Sequence, residues 1–202
     1  PGEKVADYTA LMAASQPMVA QEVLAAYRFG RHRRLMDVGG GSGAFLTAVG
    51  KATPGLDLLL FDLPAVAEQG RQRFAREGLA DRAMAMGGDF TTDSLPLGAD
   101  IISLVRVLHD HDDDVVQALL RRVRAALPKG GRVLIAEPMA GTAGAEPMGG
   151  AYFGFYLLAM GRGRPRRPDE LAGMLTEAGF QAPKLLPTDT PLLTRVMQAE
   201  AA

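Results

Sequence analysis

With 202 residues, 48% of them hydrophobic, the chain carries enough apolar material for one substantial core, and a single domain is expected over most of its length. Its 22 basic and 23 acidic side chains nearly cancel, which leaves no electrostatic case for nucleic acid as a partner. There is no cysteine for a disulfide or thiolate metal site, no apolar run long enough to span a membrane, and no signal-peptide order at the start, so a cytoplasmic setting is expected.

Residues 5–28 place apolar side chains at helical spacing (Val5, Tyr8, Leu11, Met12, then Met18, Val19, Val23, Leu24), with a break expected at Ser15-Gln16-Pro17. Residues 1–30 are therefore read as a helical lead-in to a domain over 31–202. The arginines of 28–34 have no interleaved aromatics and read as a solvated connector.

The stretch from Leu35 to Phe45 organises everything after it. An apolar run ending at Val38 predicts a buried parallel strand, and Gly39, Gly40, Gly41 and Gly43 allow a tight turn that brings backbone close to a ligand before a helix over 44–52. A second strand ends at Asp62, whose carboxylate can accept from both hydroxyls of a ribose; Leu63 follows it at the mouth of the site. Together these indicate a nucleoside cofactor. Gly39, Gly41 and Ala44 satisfy a dinucleotide fingerprint, whereas Gly39, Gly41 and Gly43 satisfy the loop of S-adenosylmethionine enzymes, so the loop alone leaves both open.

Further strands are predicted at 83–86, 101–107 and 132–136, and helices at 65–77 and 112–127. Five strand and helix cycles imply a parallel sheet covered on both faces. Residues 151–160 read as an all-apolar helix that would wall an apolar site, with Tyr152, Phe153, Tyr156 and Met160 as candidate substrate contacts, and 168–178 as another helix. The arginines of 162–167 read as a solvated loop. Segments near 184–186 and 192–199 are too close for a helical crossover and should pair as an antiparallel hairpin. The fold class is thus α/β, Rossmann-like, with seven strands, and that hairpin favours methyltransferase over dinucleotide chemistry.

Ligands of such sheets bind beyond the carboxyl ends of the strands. Those ends carry Asp37 to Gly41, Asp62, Asp89-Phe90, His109-Asp110 and Glu137. Asp89 can accept from an adenine amino group while Phe90 packs on the ring. Glu137, one strand over, can accept the Nδ1–H of His109 and leave Nε2 as a base, and a neighbouring sulfonium would hold the imidazole neutral. Arg106 sits inside an apolar strand and needs a partner; it is counted with the cofactor site. His111 and the aspartates 112–114 read as a helix start, and no metal is expected.

The segments Asp37-Val-Gly-Gly-Gly-Ser-Gly43, Phe61-Asp-Leu-Pro64, Gly88-Asp-Phe90, Leu108-His-Asp110, Ala126-Leu-Pro-Lys-Gly-Gly131 and Ala136-Glu-Pro138 resemble, in order, the catalytic domain of class I S-adenosylmethionine-dependent O-methyltransferases of the plant caffeate and bacterial small-molecule type. Arg106 to Asp112 and Glu137 to Met160 look like the bacterial carotenoid members, which act on hydroxyneurosporene or demethylspheroidene. The resemblance implies S-adenosylmethionine as cofactor, with Gly39, Gly41 and Gly43 around it, Asp62 on its ribose, Asp89 and Phe90 on adenine, His109 as base and Glu137 as its partner. It also implies a small apolar hydroxylated acceptor, peripheral membrane contact as a route to it, and a homodimer formed through an N-terminal domain that this chain lacks. A second glutamate of plant members corresponds to Pro165, and a lysine of theirs to Val105. Phenolic or polyketide acceptors, a nicotinamide oxidoreductase and a non-catalytic cofactor-binding module remain as alternatives, although no tyrosine has a lysine four residues on.

Overall fold

The computed structural model describes residues 15–144 and 163–202. Helix α1 covers 15–26, so Ser15, Gln16 and Pro17 lie within a helix rather than at a break, and the rest of the expected lead-in falls outside the described residues. The order that follows is β1 (Arg34–Val38), α2 (Ala44–Ala52), β2 (Asp57–Asp62), α3 (Pro64–Arg76), β3 (Ala83–Gly87), β4 (Ile101–Val105), α4 (Asp113–Ala126), β5 (Arg132–Glu137), α5 (Pro168–Glu177), β6 (Phe180–Leu186) and β7 (Arg195–Ala201).

These strands form one seven-stranded sheet in the order β3-β2-β1-β4-β5-β7-β6. The first five are mutually parallel, and β7 runs antiparallel to both β5 and β6. The expected parallel sheet closed by an antiparallel hairpin is therefore observed. Alternation along each strand divides the core in two. Met36, Val38, Ile102, Leu104, Val133 and Ile135 pack with Val116, Leu120 and Leu171 of α4 and α5. Leu35, Leu60, Ile101 and Leu134 pack with Val19, Val23, Phe45, Val49 and Phe74 of α1 to α3. With both faces covered, the central strands read as continuous apolar runs, which is why they were visible in the sequence.

Several boundaries differ from expectation, β7 among them, which runs from Arg195 rather than from near 192. β4 ends at Val105, not Val107, because Arg106 adopts a left-handed conformation (φ 59°) that turns the chain out of the sheet. β6 begins at Phe180, four residues before the expected start. A register shift between Gln181 and Lys184, with Ala182 at φ 49° and Pro183 beside it, breaks the pattern that would have marked it as a strand. Strand order reverses between β1 and β4, and the ligand crevice of such sheets opens at that reversal.

Candidate active site

The loop after β1 is held from three sides. Gly39, Gly41 and Gly43 all have positive φ (69°, 59° and 76°), which a side chain would strain. Gly39 N–H donates to Phe61 O at 2.8 Å, and Gly41 N–H donates to Asp62 Oδ2 at 2.8 Å. A Cβ on Gly41 would meet open space, whereas one on Gly43 would lie 2.9 Å from the Phe74 ring and one on Gly39 would press on Val107 and Phe90. Gly41 thus faces the crevice, while Gly39 and Gly43 have packed surroundings.

Asp62 at the tip of β2 also accepts from Leu63 N–H at 2.7 Å. Burial pushes its carboxyl pKa up, against the pull of those two backbone donors. It does not cap α3: Leu63 is the N-cap, and its side chain is 52% exposed beside the carboxylate. Asp37 is fully buried beneath the loop. Ser103 Oγ donates to its Oδ1 at 2.6 Å; Oδ2 has no hydrogen-bond partner among the described residues and lies where a Cβ on Gly40 would collide with it. Burial, opposed by the Ser103 bond and reinforced by the Asp62 charge, pushes this carboxyl up to about 7.

Beyond β3, Asp89 Oδ1 accepts from both Thr91 N–H (2.8 Å) and Thr91 Oγ (2.6 Å), which orders the turn carrying Phe90 and holds the carboxyl below its usual range. Phe90 meets the His111 ring edge-to-face at 5.4 Å and stands against Gly39. The tips of β1 and β3 therefore share one wall.

His109 sits in a 3-10 turn, Leu108–Asp110, and is only 3% exposed. Its Nδ1 lies 3.3 Å from Glu137 Oε2, which also accepts from Leu108 N–H (3.0 Å) and His109 N–H (3.2 Å). Glu137, fully buried at the end of β5, thus fixes both the turn and the ring, as the parallel β4–β5 pairing allows. The other ring nitrogen, Nε2, lies 3.3 Å from Asp110 Oδ1. Burial lowers the imidazole's proton affinity and so does Arg106, but the Glu137 bond and charge with the Asp110 charge outweigh them, and the pKa stands above the ordinary value. The protein's own groups therefore raise the ring's proton affinity, and the neutral imidazole expected beside a sulfonium is not set by them alone. It would require an added positive charge in the crevice.

Arg106 finds the partners that its place at the end of an apolar strand calls for. Its N–H donates to Ala136 O at 2.8 Å, and its Nη1 to Ser15 Oγ and Gln16 Oε1 at 3.1 Å each, so the guanidinium binds the first described residues of α1.

The arginine segment after residue 162 is only partly solvated, with the side chains of Arg164 and Arg167 40% and 59% exposed. Arg164 pairs with Asp113 and Glu170, and Arg166 is fully buried against the His109 turn. Runs of arginine are usually surface, and only the fold brings this one against the exposed carbonyls of a turn fifty-odd residues earlier. Ser103, the partner of Asp37, was hidden for a similar reason, since a polar residue inside an apolar strand does not announce its neighbour. The four proposed substrate contacts, Tyr152, Phe153, Tyr156 and Met160, lie outside the described residues. No helix of the described residues is long and apolar enough to cross a membrane, and they hold no cluster of metal-ligating side chains.

Comparison with known proteins agrees with this geometry. The chain is 50% identical over 197 residues to demethylspheroidene O-methyltransferase of Cereibacter sphaeroides, covering 98% of this chain and 52% of that protein. It is 34% identical over 174 residues to phenazine O-methyltransferase of Lysobacter antibioticus, covering 86% and 50%. The chain spans about half the length of the curated relatives it matches. Among solved structures, that of a mitomycin 7-O-methyltransferase superposes with a TM-score of 0.84 at 33% identity, covering 96% of this chain and 56% of that one. Human N-acetylserotonin methyltransferase, solved in complex with S-adenosylmethionine, gives 0.79 at 28% identity, covering 95% and 55%. The family model for the O-methyltransferase domain matches residues 2–181. Since that match runs unbroken through the glycine loop, the His109 turn and Glu137 to the start of β6, the chain belongs to the O-methyltransferase family.

Proposed function

We propose that the chain is the catalytic part of an enzyme that methylates a hydroxyl of a small apolar acceptor, a hydroxylated carotenoid, with S-adenosylmethionine as donor. When bound, that cofactor supplies an electrophilic methyl group on a sulfonium. The residues present fit it: Gly41 opens its backbone on the crevice, Asp62 stands at the rim as ribose acceptor, and Leu63, Asp89 and Phe90 offer an apolar and polar edge for adenine. The carotenoid reading rests on the likeness to the Cereibacter and Rhodobacter demethylspheroidene enzymes, at 50% and 46% identity. Relatives that act on phenazine and mitomycin, at 34% and 36%, support a phenolic or polyketide acceptor as the second reading.

One observation carries the mechanism, the imidazole of His109 held between two carboxylates. With the ring neutral beside the sulfonium and Nδ1–H donated to Glu137, Nε2, 3.3 Å from Asp110 Oδ1, is the nitrogen that takes the proton of the acceptor hydroxyl as its oxygen attacks. The resulting imidazolium is flanked by Glu137 and Asp110, so the protein stabilises the protonated base. Burial excludes water from the pair, and holding acceptor and donor together converts a bimolecular encounter into an oriented one. The test is incubation of the full-length enzyme with label-bearing cofactor and a panel of hydroxylated carotenoids and phenols, in vesicles and in solution, read by mass spectrometry. Transfer to a carotenoid, lost in His109→Ala with S-adenosylhomocysteine affinity kept within about threefold, supports the reading; turnover retained by His109→Ala removes the base assignment.

A further inference from the structure

Residues 163–167 lie against the turn that carries His109. Gly163, at φ +83°, packs so tightly there that a Cβ would overlap the His109 carbonyl, and its N–H donates to Asp112 Oδ1 at 2.9 Å. Arg164 already ties this segment to α4 and α5 through Asp113 and Glu170. Arg166 does something else. Its Nη1 donates to Leu108 O and its Nη2 to His111 O, both at 2.8 Å, while its Nε donates to Asp113 Oδ1 at 2.9 Å. The two carbonyls bracket His109 on either side. The backbone carbonyl of Arg166 in turn accepts from Ala140 N–H at 3.0 Å, three residues beyond Glu137.

Arg166 therefore joins two loops, its fully buried guanidinium gripping the one that bears the imidazole and its backbone carbonyl the one that follows the carboxylate partner. A buried arginine is tolerated only when its donors are matched, and a planar fork matches two carbonyls and a carboxylate where a lysine could reach one. We propose that Arg166 is a positioning residue for the base: it holds the turn 108–111 so that the His109 ring stays against Glu137. The inference rests on the assignment of His109 made above. Among the described residues, Glu137 from β5, Asp110 on its own turn and Arg106 at the end of β4 bear on the charge of the imidazole, while the Arg166 guanidinium contacts the backbone of the turn and Asp113.

Arg166→Lys in the full-length protein tests this, because it keeps the charge and loses the fork. The His109 ring is titrated by NMR with histidine labelled at Cε1, assigned against His109→Gln, alongside turnover with label-bearing cofactor and calorimetry with S-adenosylhomocysteine. The expected result is a ring pKa displaced downward toward the ordinary histidine value and kcat reduced by about 10- to 100-fold, with cofactor affinity within about twofold. An unchanged ring titration overturns the proposal whatever happens to kcat, and so does a fall in kcat matched by an equal fall in cofactor affinity. If Arg166→Lys does not fold, Asp113→Ala removes the guanidinium's carboxylate from an exposed helix start; the same downward displacement is expected, and its absence overturns the proposal. A parent enzyme that methylates no acceptor would remove the proposed function, while the ring titration would still decide whether Arg166 holds the turn.

Discussion

Asp37→Asn should stabilise the protein above neutral pH, although it alters the first residue of the glycine-loop motif. Asp37 is fully buried, its Oδ2 has no partner among the described residues, and its carboxyl is pushed from 3.8 up to about 7. A folded pKa above the unfolded one means that the folded state binds the proton more tightly. The associated stability is complete below about pH 4 and is lost as pH rises through about 7. The interval is about three pH units at 1.36 kcal/mol each, or roughly 4 kcal/mol of destabilisation at pH 8. Asparagine escapes that loss but places an NH2 where Oδ2 now lies unpartnered, at about 1–3 kcal/mol. The net gain at pH 8 is about 1–3 kcal/mol, or roughly 2–12 °C in Tm for a domain of this size. Below pH 4 the parent's carboxyl is neutral and only the asparagine's cost remains, so the variant should there be the less stable by about 1–3 kcal/mol. Denaturant unfolding of parent and variant at intervals from pH 4 to 8, without cofactor, measures it. A difference in unfolding free energy that stays constant across this range would refute the reasoning.

Three further outcomes follow from the same geometry. Glu137→Gln replaces the charged acceptor of three donors by a neutral one. At about 1.5–3 kcal/mol for the charged bond to His109, kcat should fall roughly 10- to 150-fold. The acidic limb of its pH profile should move to lower pH, since Glu137 is what raises the imidazole, and an unmoved limb would count against the pairing. Gly41→Ala should cost only about 1 kcal/mol of stability from the positive φ, yet weaken S-adenosylhomocysteine binding by at least about tenfold in calorimetry, because its Cβ projects into open crevice. His109, with its pKa raised by Glu137, adds stability that is full below its unfolded pKa and is lost as pH rises through the folded one. His109→Gln should therefore flatten the stability profile just above the ordinary histidine range.

Much of this was legible because the relevant signals are local. A parallel sheet buried on both faces writes its strands as unbroken apolar runs, so Leu35 to Val38, Leu58 to Phe61 and Ile101 to Val105 stand out against the polar helices between them. Residues at strand tips follow directly from those runs, which is how Asp62, Asp89, His109 and Glu137 came to be grouped. The errors arose where one residue's conformation overrode its neighbourhood. The left-handed Arg106 ended β4 two residues early, and the bulge at Ala182 concealed half of β6.

The order and type of the elements, the glycine turn and the carboxylates at the strand ends were determined by the sequence itself, since each depends on contacts within a few residues. The pairing of Asp37 with Ser103, of Arg106 with Ser15 and Gln16, and of Arg166 with the carbonyls around His109 was decided only by tertiary structure. A buried polar group must find a partner, but the chain does not say which, because desolvation penalises the unpaired group equally wherever its partner lies in the sequence.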